Sequence, residues 1–179
     1  MKTPAWAKWV SIIMMVVGAF ALYSDIESIS PKNYDPEYVW ENMTENEGIQ
    51  DEYEKIEDEA ERDSLNQSQF EDFKTMMTLS DYLVSWMVRF GYIGIAVNLL
   101  YILSGLNLFR RKKSAPKLVI AILIISMIHA LSQTVVYKMD EATNFMSSAI
   151  AFTPLIGLLI DAILLVIVLN SDKEMYTES

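Results

Sequence analysis

The chain has no cysteine and a single histidine among its 179 residues. The first absence excludes disulfides, thiolate metal sites, iron–sulfur clusters and cysteine nucleophiles. The second leaves any histidine-based metal or haem site short of ligands within one chain. Glycine is scarce, six in all, and no phosphate-cradling loop or dinucleotide fingerprint is present. Basic residues are also few: 14 against 24 acidic ones, for a net charge of −10. That balance argues against nucleic acid as a partner. No nucleophile–base–orienter set, no carboxylate pair on one apolar span and no zinc-protease motif is found. The sequence therefore implies no cofactor and does not read as an enzyme.

Apolar residues make up 52% of the chain, and the mean hydropathy is +0.21. Charge and hydropathy are segregated along the sequence. A hydrocarbon core of roughly 30 Å needs about 20 apolar residues in a helix. Residues 90–109 carry no charge, 118–137 carry His129, and 145–169 carry Asp161 alone. A fourth stretch, 9–23, is shorter, but Lys8 can snorkel to the headgroups and Trp6 and Trp9 suit an interfacial belt. This first span also resembles a signal peptide, with Lys2 and Lys8 before an apolar run that ends in Ala19-Phe20-Ala21. The retained anchor is the reading taken here.

The expected fold is an all-α integral membrane protein. It is a four-transmembrane-helix bundle with an acidic, partly helical extracytoplasmic insertion between the first and second spans. The divisions are 1–24 for the first span, 25–81 for the acidic region, 82–170 for the remaining three spans and 171–179 for a tail. Arg110, Arg111, Lys112, Lys113 and Lys117 crowd one short connection, Lys2 and Lys8 precede the first span, and Lys173 follows the fourth. By the positive-inside rule both termini are cytoplasmic, in a bacterial inner membrane or a eukaryotic plasma or endomembrane alike. Arg110, Arg111, Lys112 and Lys113 are first a topology determinant and second a contact for anionic lipid headgroups. Arg89 falls at the outer interface, where it marks the edge of the second span.

Residues 25–81 hold 18 of the 24 acidic residues and four of the 14 basic ones, a balance of −14. Ile49, Tyr53, Ile56 and Ala60 recur with helical spacing. Ser68 and Glu71 read as a capping box opening a helix that carries Phe70 and Phe73 toward the second span. Residues 30–36 read as a turn-rich connector. The run Asp51, Glu52, Glu54, Glu57, Asp58 and Glu59 lacks EF-hand spacing, so no metal site is implied. Asn42 and Asn66 each open a glycosylation sequon.

Within the spans, the residues that are not aliphatic fall on faces. Gly91, Gly94, Asn98, Tyr101 and Gly105 share one face of the second span. Ser126, His129 and Gln133 share a face of the third. Pro154, Gly157 and Asp161 share a face of the fourth, and Ser11, Gly18, Ala21 and Asp25 one of the first. Small residues let backbones approach, and polar ones turn from lipid toward a neighbour. At about 1.5 Å per residue, Asn98, His129 and Asp161 sit at similar mid-membrane depth. Asn98, Tyr101, His129, Gln133 and Asp161 are thus the candidate polar ligand or proton site. Asp161 is there either paired with a protonated His129 or neutral. The plain alternative is that these groups only hold helices together.

Four spans with a large first loop resemble the layout of tetraspan families such as the claudins. Their first loop carries a tryptophan-and-cysteine signature, which a chain without cysteine does not have, so no residue roles carry over. The function expected is that of a non-catalytic accessory or interaction subunit, with membrane lipid around it and a protein partner on residues 25–81. The alternative is a small oligomeric transporter or a ligand- or lipid-binding bundle built on the Asn98, His129 and Asp161 cluster.

Overall fold

The computed structural model describes residues 3–46, 59–140, 145–173 and Tyr176. Among these residues there are helices and no strands. Helix α1 is Ala5–Ser28, followed by a short 3-10 turn, Pro31–Tyr34. Helices α2, Pro36–Asn46, and α3, Glu59–Met77, come from the acidic region. Then come α4, Asp81–Phe109, α5, Ala115–Lys138, and α6, Phe145–Asn170. Four of these, α1, α4, α5 and α6, are long and apolar enough to cross a membrane. The acidic run at 51–58, the periodic Ile49, Tyr53 and Ile56, and Glu141 lie outside the described residues.

Local chemistry explains the helix ends. Ser80 starts α4: its hydroxyl accepts from the Leu83 N–H at 3.0 Å, and Asp81 follows in the first turn. Both features satisfy or complement the bare amides there. At the other end Arg111 takes a left-handed backbone, φ 60. Lys112 N–H donates to the Asn107 carbonyl and Arg111 N–H to that of Leu108, both at 3.1 Å. This is a Schellman ending with arginine where glycine is usual, and it sets the tight turn into α5, which opens with Pro116 in its first turn. At the end of α1 the 3-10 turn folds back. Asn33 donates to the Glu27 carbonyl at 2.8 Å and Tyr34 to that of Ser28 at 3.0 Å, which occupies carbonyls the helix leaves open.

Two local expectations are corrected. Ser68 is not a cap, because α3 begins at Glu59 and runs straight through it. Between α3 and the second span Thr78 to Ser80 interrupt the helix, and the Ser80 cap begins α4 afresh. The connector at 30–36 is shorter than expected, because Asp35 accepts from the Glu37 N–H at 3.1 Å and Pro36 begins α2. Asp-Pro-Glu is a helix-start signal, an acidic cap with proline at the first position. Asn42 and Asn66, the two sequon asparagines, both lie on helices, in α2 and α3.

The most extensive packing is between α1 and α4, followed by α5 with α6 and α4 with α5. The contact between α1 and α6 is slight. The small-residue face of α4 meets α1. A Cβ on Gly105 would stand 3.0 Å from Met14 Cβ, and one on Gly18 would stand 2.8 Å from an Ile102 side-chain carbon. Close approach of this kind lets dispersion hold apolar helices together where lipid offers no hydrophobic drive. Two buried apolar clusters result. One holds Val10, Met14, Leu108, Val119, Leu123, Leu164 and Tyr176; the other holds Leu83, Phe90, Tyr137 and Ala151.

Candidate functional site

A cavity of about 610 Å³ lies among the four long helices. Each contributes to its wall: Val17, Ser24 and Asp25 from α1, Asn98 from α4, His129 and Gln133 from α5, Pro154 and Gly157 from α6. The wall includes the well exposed Phe20 and Ile156, on α1 and α6. The cavity therefore opens sideways, through the seam where those two helices barely touch. Gly157 leaves that space clear, since a Cβ built on it would meet nothing within 4 Å. Pro154 has no N–H to give the Ile150 carbonyl, and both residues line the same wall.

The polar side chains sort into two sets along α4. Asn98 donates a 2.6 Å hydrogen bond to Asp25 of α1. Asp25 lies directly over Gly94, so close that any side chain at 94 would overlap its carboxyl group. Three residues further along α4, the Tyr101 hydroxyl donates to Asp161 of α6 at 2.7 Å. Asp161 is buried, 4% exposed, and is also hydrogen-bonded by Ser126 of α5. One helix thus serves two acids, one toward each side.

Of the sequence-derived candidates, Asn98, His129 and Gln133 line the cavity, while Tyr101 and Asp161 pack behind it. Asp161 takes its hydrogen bonds from Tyr101 and Ser126, and His129 stands edge-on to Phe90, ring centres 5.5 Å apart. Asn98 and His129 thus share the cavity wall, while Asp161 is bonded by Tyr101 and Ser126 rather than paired with His129. Gln133 is hydrogen-bonded to Tyr137 one turn along α5. The partner the sequence reading did not assign is Asp25, which falls in the last turn of α1 and not in the acidic region. Its signal was the face it shares with Gly18 and Ala21.

Two arginines bracket the uncharged stretch of α4. Arg89 is exposed on α4, its guanidinium 4.9 Å from the Trp86 ring centre. From Arg89 to Arg110 is about 32 Å of helix, close to the hydrocarbon thickness. Gly94, and with it Asp25, lies about 8 Å below the Arg89 level on the same scale. Arg110, Lys112 and Lys113 are exposed around the α4–α5 turn, with Arg111 partly buried beside them. Among the described residues no group of three or more acidic or histidine side chains is placed to hold a metal ion.

Four long apolar helices around a partly polar cavity are compatible with a multi-pass integral membrane protein. The family model for DUF2569, a protein family of unknown function, matches residues 52–176, more than two thirds of the chain. The chain belongs to that family. The matched stretch contains Asn98, Tyr101, His129, Gln133 and Asp161; Asp25 and the rest of α1 precede it. No curated protein and no solved structure matches the chain.

Proposed function

We propose that this membrane protein is a non-catalytic bundle that binds one amphipathic small molecule within the bilayer. The carrying observation is the cavity. Its volume of about 610 Å³ falls in the range of drug-sized ligand sites, roughly 300–1,000 Å³. Its wall is mostly apolar with a few polar groups, the usual composition of such sites. The seam between α1 and α6 gives a lipid-dissolved molecule a path that does not cross water. Both termini are cytoplasmic in this reading, and the acidic region with α2 and α3 is extracytoplasmic. The support is the basic α4–α5 turn at one end of a 32 Å span and the acid excess at the other. The test is native mass spectrometry of protein released gently from the membrane, with chemical identification of what it carries. A stoichiometric small molecule, lost in Gly157→Leu, is expected. An empty protein, or a ligand indifferent to Gly157→Leu, would overturn the reading.

A second reading places function in the acidic region, as an accessory subunit docking a protein partner. One observation favours it. Trp40 of α2 packs on Phe70 and Phe73 of α3, with ring centres 5.9 and 5.2 Å apart. Two helices of the acidic region thus pack on each other through one aromatic cluster. A partner retained at fixed stoichiometry and released by Trp40→Ala would support it.

A further inference from the structure

The ligand class can be narrowed from the charges that face the cavity; this step rests on the ligand-binding reading above. Asp25 is the acid on the wall, and among the described residues no lysine or arginine lines it. Asn98 gives Asp25 a hydrogen bond but no charge. His129 is turned edge-on to Phe90. An anionic head, carboxylate or phosphate, would meet a like charge here with no fixed cation to offset it, an arrangement that costs several kcal/mol at interfaces. A head with a positive charge and several N–H donors meets the complementary set: the Asp25 carboxylate, with the Gln133 amide and the Ser24 hydroxyl on the same wall.

The one acid on the wall, Asp25, sits toward the Arg89 end with Ser28 and Tyr137; deeper, Val17 and Ile160 line the wall together with Asn98 and Ser126. A molecule with its head on Asp25 would hold that head about 8 Å along α4 from Arg89 and its tail deeper, beside the seam. That is the orientation an amphiphile takes in a leaflet, so binding needs no inversion. We propose that the ligand is a single-chain amphiphile whose head is a primary amine, bound as the ammonium on Asp25.

The probe is radiolabelled hexadecylamine, added to the full chain in phosphatidylcholine nanodiscs, with hexadecanol and palmitate as competitors of equal chain length. Saturable binding is expected, with unlabelled hexadecylamine competing at least about tenfold more strongly than hexadecanol, a difference of about 1.4 kcal/mol. Palmitate should be the weakest of the three. Asp25→Asn, checked for an unchanged unfolding midpoint, should reduce the preference for the amine to near unity. Equal competition by all three, or a preference for palmitate, would overturn the amine assignment while leaving the cavity reading intact, provided that Gly157→Leu abolishes binding. Absence of saturable hexadecylamine binding would overturn the amine assignment alone; saturable binding insensitive to Gly157→Leu would overturn both. A comparison of the three competitors on the unmutated protein decides the head chemistry even if Asp25→Asn does not fold.

Discussion

Asn98 and Asp25, 73 residues apart in sequence, share a 2.6 Å hydrogen bond across the α1–α4 interface. The bond joins a residue inside the family match to one before it, and it sits on the wall of the cavity. It is also the contact that Gly94 makes room for.

Asn98→Leu removes the donor and leaves a half-buried carboxyl group facing apolar surroundings. Loss of a buried partner costs about 1–3 kcal/mol. The double change Asp25→Leu with Asn98→Leu removes both members and should recover most of that loss. Reversible unfolding of the four proteins in mixed micelles measures the coupling, and a strictly additive result would show that the bond contributes nothing to stability.

Two glycines, one packed under Asp25 and one on the open cavity wall, should respond in opposite ways. Gly94→Ala forces a methyl group into the Asp25 carboxyl, so α1 must shift away from α4, at a cost of about 1–3 kcal/mol from overpacking. Gly157→Ala meets nothing within 4 Å and gains up to about 1 kcal/mol of helix propensity. Thermal midpoints compared side by side check the contrast. Equal midpoints would mean that α1 does not sit on α4 as described.

Tyr176 closes the end opposite Arg89. It is 2% exposed, its hydroxyl donates to the Leu108 carbonyl at 3.2 Å, and its ring lies 6.1 Å from that of Trp6. Burial pushes its phenol above the ordinary value of 10.0, and the Arg111 charge draws it partly back. A raised folded value means that the unfolded chain loses this proton first. Stability from this group is therefore complete below about pH 10 and declines as pH rises through its folded value. Tyr176→Phe should flatten that alkaline decline and cost about 1 kcal/mol at neutral pH for the lost hydrogen bond. Stability measured at pH 8 and pH 11 gives both numbers.

Trp40 is the aromatic that joins α2 to α3. Trp40→Ala removes both ring contacts, each of which contributes about 0.5–1.5 kcal/mol beyond area burial. Limited proteolysis should then cut within α3 at least several times faster, with the four long helices unaffected. Unchanged cleavage would show that α3 is held by something other than Trp40.

The long apolar helices were legible in the sequence because length and hydropathy alone define them. So was the small-residue face of α4, because Gly91, Gly94 and Gly105 recur with the period that keeps them on one side. The pairing of polar groups was not legible. Asn98, His129 and Asp161 have similar depths, but depth says nothing of rotation between neighbouring helices. Tyr101 reaches Asp161 and Asn98 reaches Asp25 because three residues on a helix point about 60° apart, enough to serve different neighbours. Asp25 went unassigned because eighteen acids crowd the stretch that begins with it. The length of α1, set by the return of Asn33 and Tyr34 to its last carbonyls, decides that Asp25 belongs to the span. The α2 helix was hidden by the proline that starts it, since Pro36 reads equally as a turn residue.

The slight contact between α1 and α6 has a mechanical consequence. No loop joins these two helices directly, so they can part without stretching any backbone connection. At one end Tyr176, a few residues past α6, is clasped against Trp6 of α1. Toward the other end the cavity separates them. A gap that is pinned at one end widens as a wedge, like the jaws of a peg, and its broad end is the one where Asp25 lies.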